Sequence, residues 1–339
     1  MLIWNLKKLN SINKIYLNIA QIQKIVSNDL ENVNNIIIEN IGNEVPMISE
    51  LSKHILASGG KRIRPIITLL TSKLCDYKGE NHLSLAACIE FIHTATLLHD
   101  DVIDESKLRR GVATANDLFG NKTSVLVGDF LFSRSFELMV ANGSKRILEV
   151  LSSTSSTIAK GEVLQLSTIN NCSTSEETYI SIIKSKTASL FGAAAEISAI
   201  LSEKNKNIQN ALLTYGQKLG IAFQLTDDAL DYIGSESLGK DIGDDFKEGK
   251  ITLPIIICLR NANEEEILFW NKTIEDLKQT DQDLTKALSL IKKHQAIEET
   301  LSLANQYCSE AINALDVFPH SETKLALESL AKLAANRVK

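Results

Sequence analysis

Two aspartate clusters of the same shape carry the chemistry of this sequence: Asp100-Asp101-Val102-Ile103-Asp104 and Asp227-Asp228-Ala229-Leu230-Asp231. Each follows an apolar stretch with helical periodicity. Residues four apart share a helix face, so Asp100 lies over Asp104 and Asp227 over Asp231. Carboxylates crowded in this way need cations between them. Hard divalent metals such as Mg2+ prefer carboxylate oxygens and often bridge to phosphate. Two such faces turned toward each other would clamp a diphosphate.

Three irregular segments combine glycine with basic residues. Residues 58–65 hold Gly59, Gly60, Lys61, Arg62 and Arg64; residues 105–114 hold Arg109, Arg110 and Gly111. Residues 234–250 place Gly234, Gly239, Gly243 and Gly249 among Lys240, Lys247 and Lys250. Glycine permits turns and close approach of backbone to a ligand. Arg64 could grip phosphate oxygens by a fork and Lys61 as a point charge. Gly60 could equally cap a helix, with the cations at the negative end of its dipole. Arg109-Arg110-Gly111 could be a solvated turn.

His93 stands two turns before Asp100 on a similar helix face, where it points at the same cavity or packs as an ordinary core histidine. His99 adjoins the aspartates and reads as support. Gln224 precedes Asp227 and Asp228 by three and four residues. Its amide could orient a diphosphate oxygen or an aspartate. Lys186-Thr187 adds a cation and a hydroxyl.

The elements that must position these groups are helices. The chain has 339 residues and only 4 prolines, with long runs of Leu, Ile, Ala, Lys and Glu that favour helix. Apolar periodicity predicts helices over 14–40, 46–57, 64–76, 83–104, 123–140, 145–168, 175–201, 206–233 and 251–260. Strand-like alternation is scarce. Residues 262–300 are more polar and read as peripheral helices. No stretch reads as a linker, so the chain reads as one all-α domain over 1–339. Residues 1–25 form a first helix or an N-terminal extension; a transit peptide is the alternative, although arginine is absent there.

The net charge of -6 argues against nucleic acid as a partner. The five cysteines show no CxxC spacing, which suggests neither zinc nor a disulfide framework and fits a reducing compartment. No apolar run reaches the length of a membrane span.

The motifs occur as an ordered set. GGKRxRP covers Gly59 to Pro65, HDDxxDxxxxRRG covers His99 to Gly111, and Lys186-Thr187 follows. FQxxDDxxD covers Phe223 to Asp231, and GKxxGDDxxEGKxTLP covers Gly239 to Pro254. This set resembles the trans-polyprenyl diphosphate synthases, the chain-elongating isoprenyl diphosphate synthases. The resemblance runs from about residue 50 to 254, with no departure at the charged positions.

The resemblance implies a single-domain helical bundle of the isoprenoid synthase type with a central active-site cavity. It implies a prenyltransferase that ionises an allylic diphosphate, condenses it with isopentenyl diphosphate and eliminates a proton. Two or three Mg2+ per site would be held by Asp100, Asp101 and Asp104 on one side and by Asp227 and Asp231 on the other. Arg109, Lys186, Thr187, Gln224, Lys240 and Lys250 would contact the allylic diphosphate. Lys61, Arg64, His93 and Arg110 would hold isopentenyl diphosphate. Residues 234–250 would form a closing lid that excludes water. The family also implies a homodimer, a cytoplasmic location and at most peripheral membrane contact.

The helix before the first cluster can act as a ruler. Ala95 and Thr96 precede Asp100 by roughly one turn, about 6–8 Å at the α-helical rise. A Phe or Tyr there would stop the growing chain early; these small residues leave the path open. Phe132, Phe136 and Met139 are candidates for the next obstruction, or they simply fill core. The strings around His93–Asp101 and Ser124–Phe130 resemble the octaprenyl to decaprenyl branch, which supplies quinone side chains such as that of ubiquinone. The expected product is octaprenyl-like, about C40 for an open path of this kind. A farnesyl or geranylgeranyl diphosphate synthase is the shorter alternative. A class I terpene cyclase would not need Lys61, Arg64 and His93. A non-catalytic subunit of a heteromeric synthase tends to lose an aspartate cluster, and both are intact here.

Overall fold

The structure, a computed structural model, describes residues 16–42, 45–57, 60–109, 111–233 and 242–336. Helices dominate: α1 (Ile19–Ile25), α2 (Ser27–Ile41), α3 (Pro46–Ala57), α4 (Ile63–Leu74) and α5 (Asn81–Ile103). A two-residue hairpin, β1 (Leu108–Arg109) with β2 (Val112–Ala113), leads to α6 (Ala115–Phe119), α7 (Asn121–Asn142) and α8 (Lys145–Leu166). Then come α9 (Glu176–Ile183), α10 (Ser189–Leu201), α11 (Lys206–Ile233), α12 (Asp244–Lys247) and α13 (Leu253–Asn261). The chain closes with α14 (Glu264–Trp270), α15 (Asp281–Lys293), α16 (Ala296–Ala314) and α17 (Glu322–Ala335).

Local chemistry explains many boundaries. Asn18 and Gln21 make a capping box on α1, and Asn263 and Glu266 make one on α14. Ser144, Ser175 and Ser321 cap α8, α9 and α17 through their hydroxyls. The helix expected over 14–40 is interrupted at Val26, which leaves helical geometry between α1 and α2. Residues 1–15 lie outside the described residues. The stretch expected as one helix over 175–201 is divided by a π-helical turn at Lys184–Ala188. Periodicity alone does not register one extra residue per turn.

Helix α5 is the axis of the larger core. From Leu85 to Ile92 every residue is buried, so this helix has no solvent face along that stretch. It packs antiparallel on α7: Ser124 Oγ donates to Leu98 O at 3.1 Å and Cys88 Sγ to Ser135 O at 3.3 Å. His99 turns to α7 as well, with Nε2 3.2 Å from Val125 O, in the space that Gly128 leaves by lacking a Cβ.

On the other side, α4 meets α10 along a buried polar seam. Thr71 and Ser72 donate to Ser198 Oγ at 2.8 and 2.9 Å, and Ser198 donates to Thr68 O at 2.9 Å. Helices α10 and α11 touch backbone to backbone: a Cβ on Gly216 would lie 2.2 Å from Phe191 O and 2.7 Å from Gly192 Cα.

Residues 262–300 do more than was expected of peripheral helices. They enclose a second apolar cluster with Trp270, Ile274, Ala287 and Ile291 at its centre, packed on Tyr179, Tyr232 and Phe246. Most of the charged residues there lie on the outer faces, with Glu266 and Asp283 buried, and alternation of faces hides the apolar one. No described helix is long and apolar enough to cross a membrane.

Gly216→Ala should lower stability by about 1–3 kcal/mol, because α10 and α11 would have to separate. Chemical denaturation checks it.

Candidate active site

The first aspartate cluster sits where α5 ends. Asp104 caps the helix, its N–H donating to Asp100 O at 2.8 Å, so Asp100 and Asp104 stand on one face. Each aspartate meets a different base, brought by a different segment. Asp100 Oδ2 lies 3.3 Å from Lys186 Nζ, and Asp104 Oδ2 accepts from Lys250 Nζ at 2.8 Å. Asp101 points the other way and its side chain is 1% exposed. Both of its oxygens are taken by Arg109, at 2.6 and 3.0 Å to Oδ1 and 3.2 Å to Oδ2.

Asp101 therefore departs from the expected set of three metal ligands. Being adjacent to Asp100, it is turned about 100° round the helix. It anchors Arg109 and the hairpin instead. Asn116 reinforces this by donating to both Asp101 O and Ser106 O at 3.1 Å.

The second cluster lies in the last turns of α11. Asp228 is the buried member, accepting from Tyr179 OH at 2.5 Å and from Gln224 Nε2 at 2.8 Å. Gln224 Oε1 accepts from Thr187 Oγ1 at 2.9 Å, so the chain Thr187–Gln224–Asp228–Tyr179 is held end to end. Asp227 and Asp231 remain half-buried on the other face. Asp231 accepts from Gly243 N through its backbone at 2.9 Å and from Asp245 N through Oδ2 at 3.1 Å. Asp245 O accepts from Lys250 N at 2.8 Å. Since Lys250 Nζ reaches Asp104, one run of contacts joins the second cluster to the first.

Lys186 reaches Asp100 from the π-helical turn. A Cβ on Gly161 of α8 would lie 2.8 Å from Lys186 N, so α8 approaches this turn at backbone distance. Glu162 and Gln165, one turn apart on α8, accept from Lys186 Nζ at 2.6 and 2.8 Å.

The loop expected to hold the second substrate lies beside α5. Arg62, in left-handed backbone geometry with φ 48°, forms an ion pair with buried Glu90. Glu90 is one turn before half-buried His93, so the pair docks the basic loop at the level of that histidine. The Arg64 guanidinium lies 4.4 Å over the Phe191 ring, and Lys61 is exposed. Arg110 and Lys240 lie outside the described residues, as does most of the expected lid, 234–241.

Of the ruler residues, Ala95 is 1% exposed, and Thr96 turns its hydroxyl back to His93 O at 2.8 Å. Phe132 is half-buried against the larger core and Met139 is buried. Phe136 is corrected: it is 41% exposed, edge-on to Phe132 at 5.0 Å, and faces outward. The α5-facing side of α7 is set by Ser124, Gly128 and Ser135, and Phe136 falls outside it.

Residues 45–291 match the family model described as polyprenyl synthetase. The chain belongs to the polyprenyl synthetase family. It is 44% identical over 322 residues to octaprenyl diphosphate synthase of Escherichia coli strain K12, covering 95% of this chain and 99% of that one. A polyprenyl synthase from Caulobacter crescentus, crystallised with calcium and isoprenyl diphosphate, superposes with TM-score 0.92 at 44% identity, over 94% of this chain and 98% of that one. A decaprenyl diphosphate synthase from Rhodobacter capsulatus superposes with TM-score 0.91 at 44% identity, over 95% and 100%. The all-α isoprenoid synthase fold follows from these likenesses and from the helices themselves.

Within this polyprenyl synthetase the electrostatics are those of carboxylates short of positive charge. Burial raises the Asp100 pKa, Lys186 opposing and Asp104 adding to it. Burial, then Asp100, pushes Glu162 up to about 7. Burial, then Asp245, pushes Asp228 up to about 7 against the hydrogen bonds from Tyr179 and Gln224. Burial alone would lower Lys186 and Lys250, but the carboxylates around each more than offset it and raise both.

Glu90, Glu162, Gln165 and Tyr179 were not singled out in the sequence. Each is one polar residue on an amphipathic helix, and only packing shows which way it points. An acid at mid-helix between apolar neighbours, as Glu90 is, was the available signal.

Burial and neighbouring carboxylates raise Asp228 and Glu162 to about 7 in the fold, against ordinary values of 3.8 and 4.5. The stability they contribute is present below the ordinary values and lost as pH rises through the folded ones. With a metal chelator present, the melting temperature should fall from pH 5 to 8, and less steeply in Asp228→Asn. Melting curves across that range test this.

Proposed function

We propose that the chain is a long-chain trans-polyprenyl diphosphate synthase with an octaprenyl-like product. It would lengthen an allylic diphosphate primer by successive condensation with isopentenyl diphosphate. One observation carries this: Lys186 and Lys250, from separate elements, meet Asp100 and Asp104 on one helix face, and the backbone of Lys250 ties that face to the loop held on Asp231. Such an arrangement receives a polyanion together with the cations that accompany it.

The donor set fits a divalent metal. All the candidate ligands are hard carboxylate oxygens, Asp100 and Asp104 each meet their lysine through Oδ2 alone, and burial leaves Asp100 in need of positive charge. We take the ligands to be Asp100, Asp104, Asp227 and Asp231, for two or three Mg2+. Bound there, Mg2+ would neutralise charge developing on the departing diphosphate.

The chain's own residues do the rest. Lys186 and Lys250 face the leaving group, with Arg109 held in orientation by Asp101; Lys240, outside the described residues, is expected to join them. Thr187 and Gln224 are locked together and present a fixed polar edge. Lys61, Arg64, His93 and Arg110 would hold isopentenyl diphosphate beside α5. The allylic cation formed at the mouth of α5 is attacked by the isopentenyl double bond, and a proton then leaves to the released diphosphate. The lid keeps water away from the cation. The growing chain runs past Ala95 toward Phe132.

A homodimer is supported by α7. Val125, Leu126, Phe136 and Val140 are exposed apolar residues on one side of the helix, with exposed Asp129 and Ser133 between them, and Leu126 and Val140 are 67% and 65% exposed. A second copy would cover them. A cytoplasmic site of action and a quinone side-chain product complete the proposal, with peripheral membrane contact through the greasy product.

Purified protein given Mg2+, labelled isopentenyl diphosphate and primers of several lengths should yield products of octaprenyl length. Products no longer than geranylgeranyl would sink the long-chain assignment. Asp100→Ala should cut incorporation by about 100-fold or more. Ala95→Phe should shorten the product while turnover persists. Sedimentation should give twice the chain mass, and Leu126→Glu should return it to one.

A further inference from the structure

The Lys186 ammonium has three protons and meets three oxygens: Glu162 at 2.6 Å, Gln165 at 2.8 Å and Asp100 at 3.3 Å. Two come from one face of α8, and the longest comes from the aspartate cluster. The neighbouring geometry is built for this grip. Gly161 lets α8 reach the backbone of the π-helical turn, and that turn carries Lys186. π-helical turns concentrate at functional sites because they re-aim one side chain.

Glu162 is an expensive residue for stability alone. Oε2 is spent on Lys186, while Oε1 is buried and has no hydrogen-bond partner among the described residues. A buried carboxylate oxygen without a donor is unfavourable, and such groups are retained where they serve a site.

We propose that Glu162, assisted by Gln165, is a positioning residue that holds Lys186 toward the leaving diphosphate and keeps it from closing onto Asp100. Without Glu162 the nearest anion left to Lys186 is Asp100. The ammonium would then neutralise the carboxylate that the diphosphate's accompanying cations need, and would itself be withdrawn from the diphosphate. The proposal rests on the synthase assignment above, and it concerns how that site is set rather than which reaction it performs.

A double-mutant cycle on the full chain decides it. Steady-state kcat and KM for the allylic primer, and the affinity for inorganic diphosphate with Mg2+ by calorimetry, are measured in five proteins. These are the wild type, Glu162→Gln, Glu162→Ala, Lys186→Ala and the Glu162→Ala/Lys186→Ala pair. Glu162→Ala should lower kcat/KM and weaken diphosphate binding by about tenfold or more, since displacing a positioned group is costly. Glu162→Gln keeps an acceptor in place and should stay within about threefold of wild type, a typical neutral hydrogen-bond difference. In the Lys186→Ala background, Glu162→Ala should have no further effect on either readout. Equal effects in both backgrounds, or a loss in Glu162→Gln as large as in Glu162→Ala, would overturn the proposal. Glu162→Met fills the same space without an acceptor and serves if the alanine variant does not fold. A wild type that fails to elongate would instead refute the synthase assignment, which keeps the two failures apart.

Discussion

The mutual repulsion of buried carboxylates is the constraint on which the rest of this structure depends. Asp100, Asp104 and Glu162 crowd one region, with Asp100 and Glu162 pushed up by burial and by neighbouring carboxylates. Charges there interact far more strongly than in water. The fold answers by importing cations from places distant in sequence: Arg109 from a hairpin, Lys186 from between α9 and α10, Lys250 from beyond α12. Each import pins a segment that would otherwise have little to hold it. The hairpin of four paired residues is too small to stand alone, and Arg109 on Asp101 with Asn116 on the α5 terminus is what fastens it.

Glycine and the π-helical turn supply the precision that charge alone lacks. Gly161 brings α8 onto the turn that bears Lys186, Gly128 opens room for His99, and Gly216 lets α11 lie on α10. At Gly161 and Gly216 the contacts reach the neighbouring backbone, so they fix how closely the helices approach. The second apolar cluster has the same logic: it buttresses Tyr179, and Tyr179 holds Asp228, which orients Gln224.

The two clusters turn out to have unequal members. Adjacent aspartates on a helix point about 100° apart, so a DDxxD motif offers the i and i+4 carboxylates to one face and sends the middle one elsewhere. In the first cluster the middle member anchors Arg109; in the second it anchors Gln224 and Tyr179. The motif thus combines a pair of outward carboxylates with an inward brace, and the brace holds the next polar group in the chain of contacts.

Much of this was legible beforehand, for reasons tied to particular residues. The helical class, most helix spans and the shared face of Asp100 with Asp104 follow from period 3.6, which depends only on local order. The cations Arg109, Lys186 and Lys250 and the polar pair Thr187–Gln224 were recognisable because their motifs recur in order. The partners were not legible. Glu162 and Gln165 on Lys186, Arg62 on Glu90 and Tyr179 on Asp228 join residues between 21 and 49 positions apart, on faces that composition does not distinguish. The outward turn of Phe136 and the inward turn of residues 262–300 were decided likewise by which helix lay opposite. The sequence by itself determined which charges exist and which of them share a helix face. Only the tertiary structure decided which charge meets which, because that depends on where separate helices are brought together by burying their apolar sides.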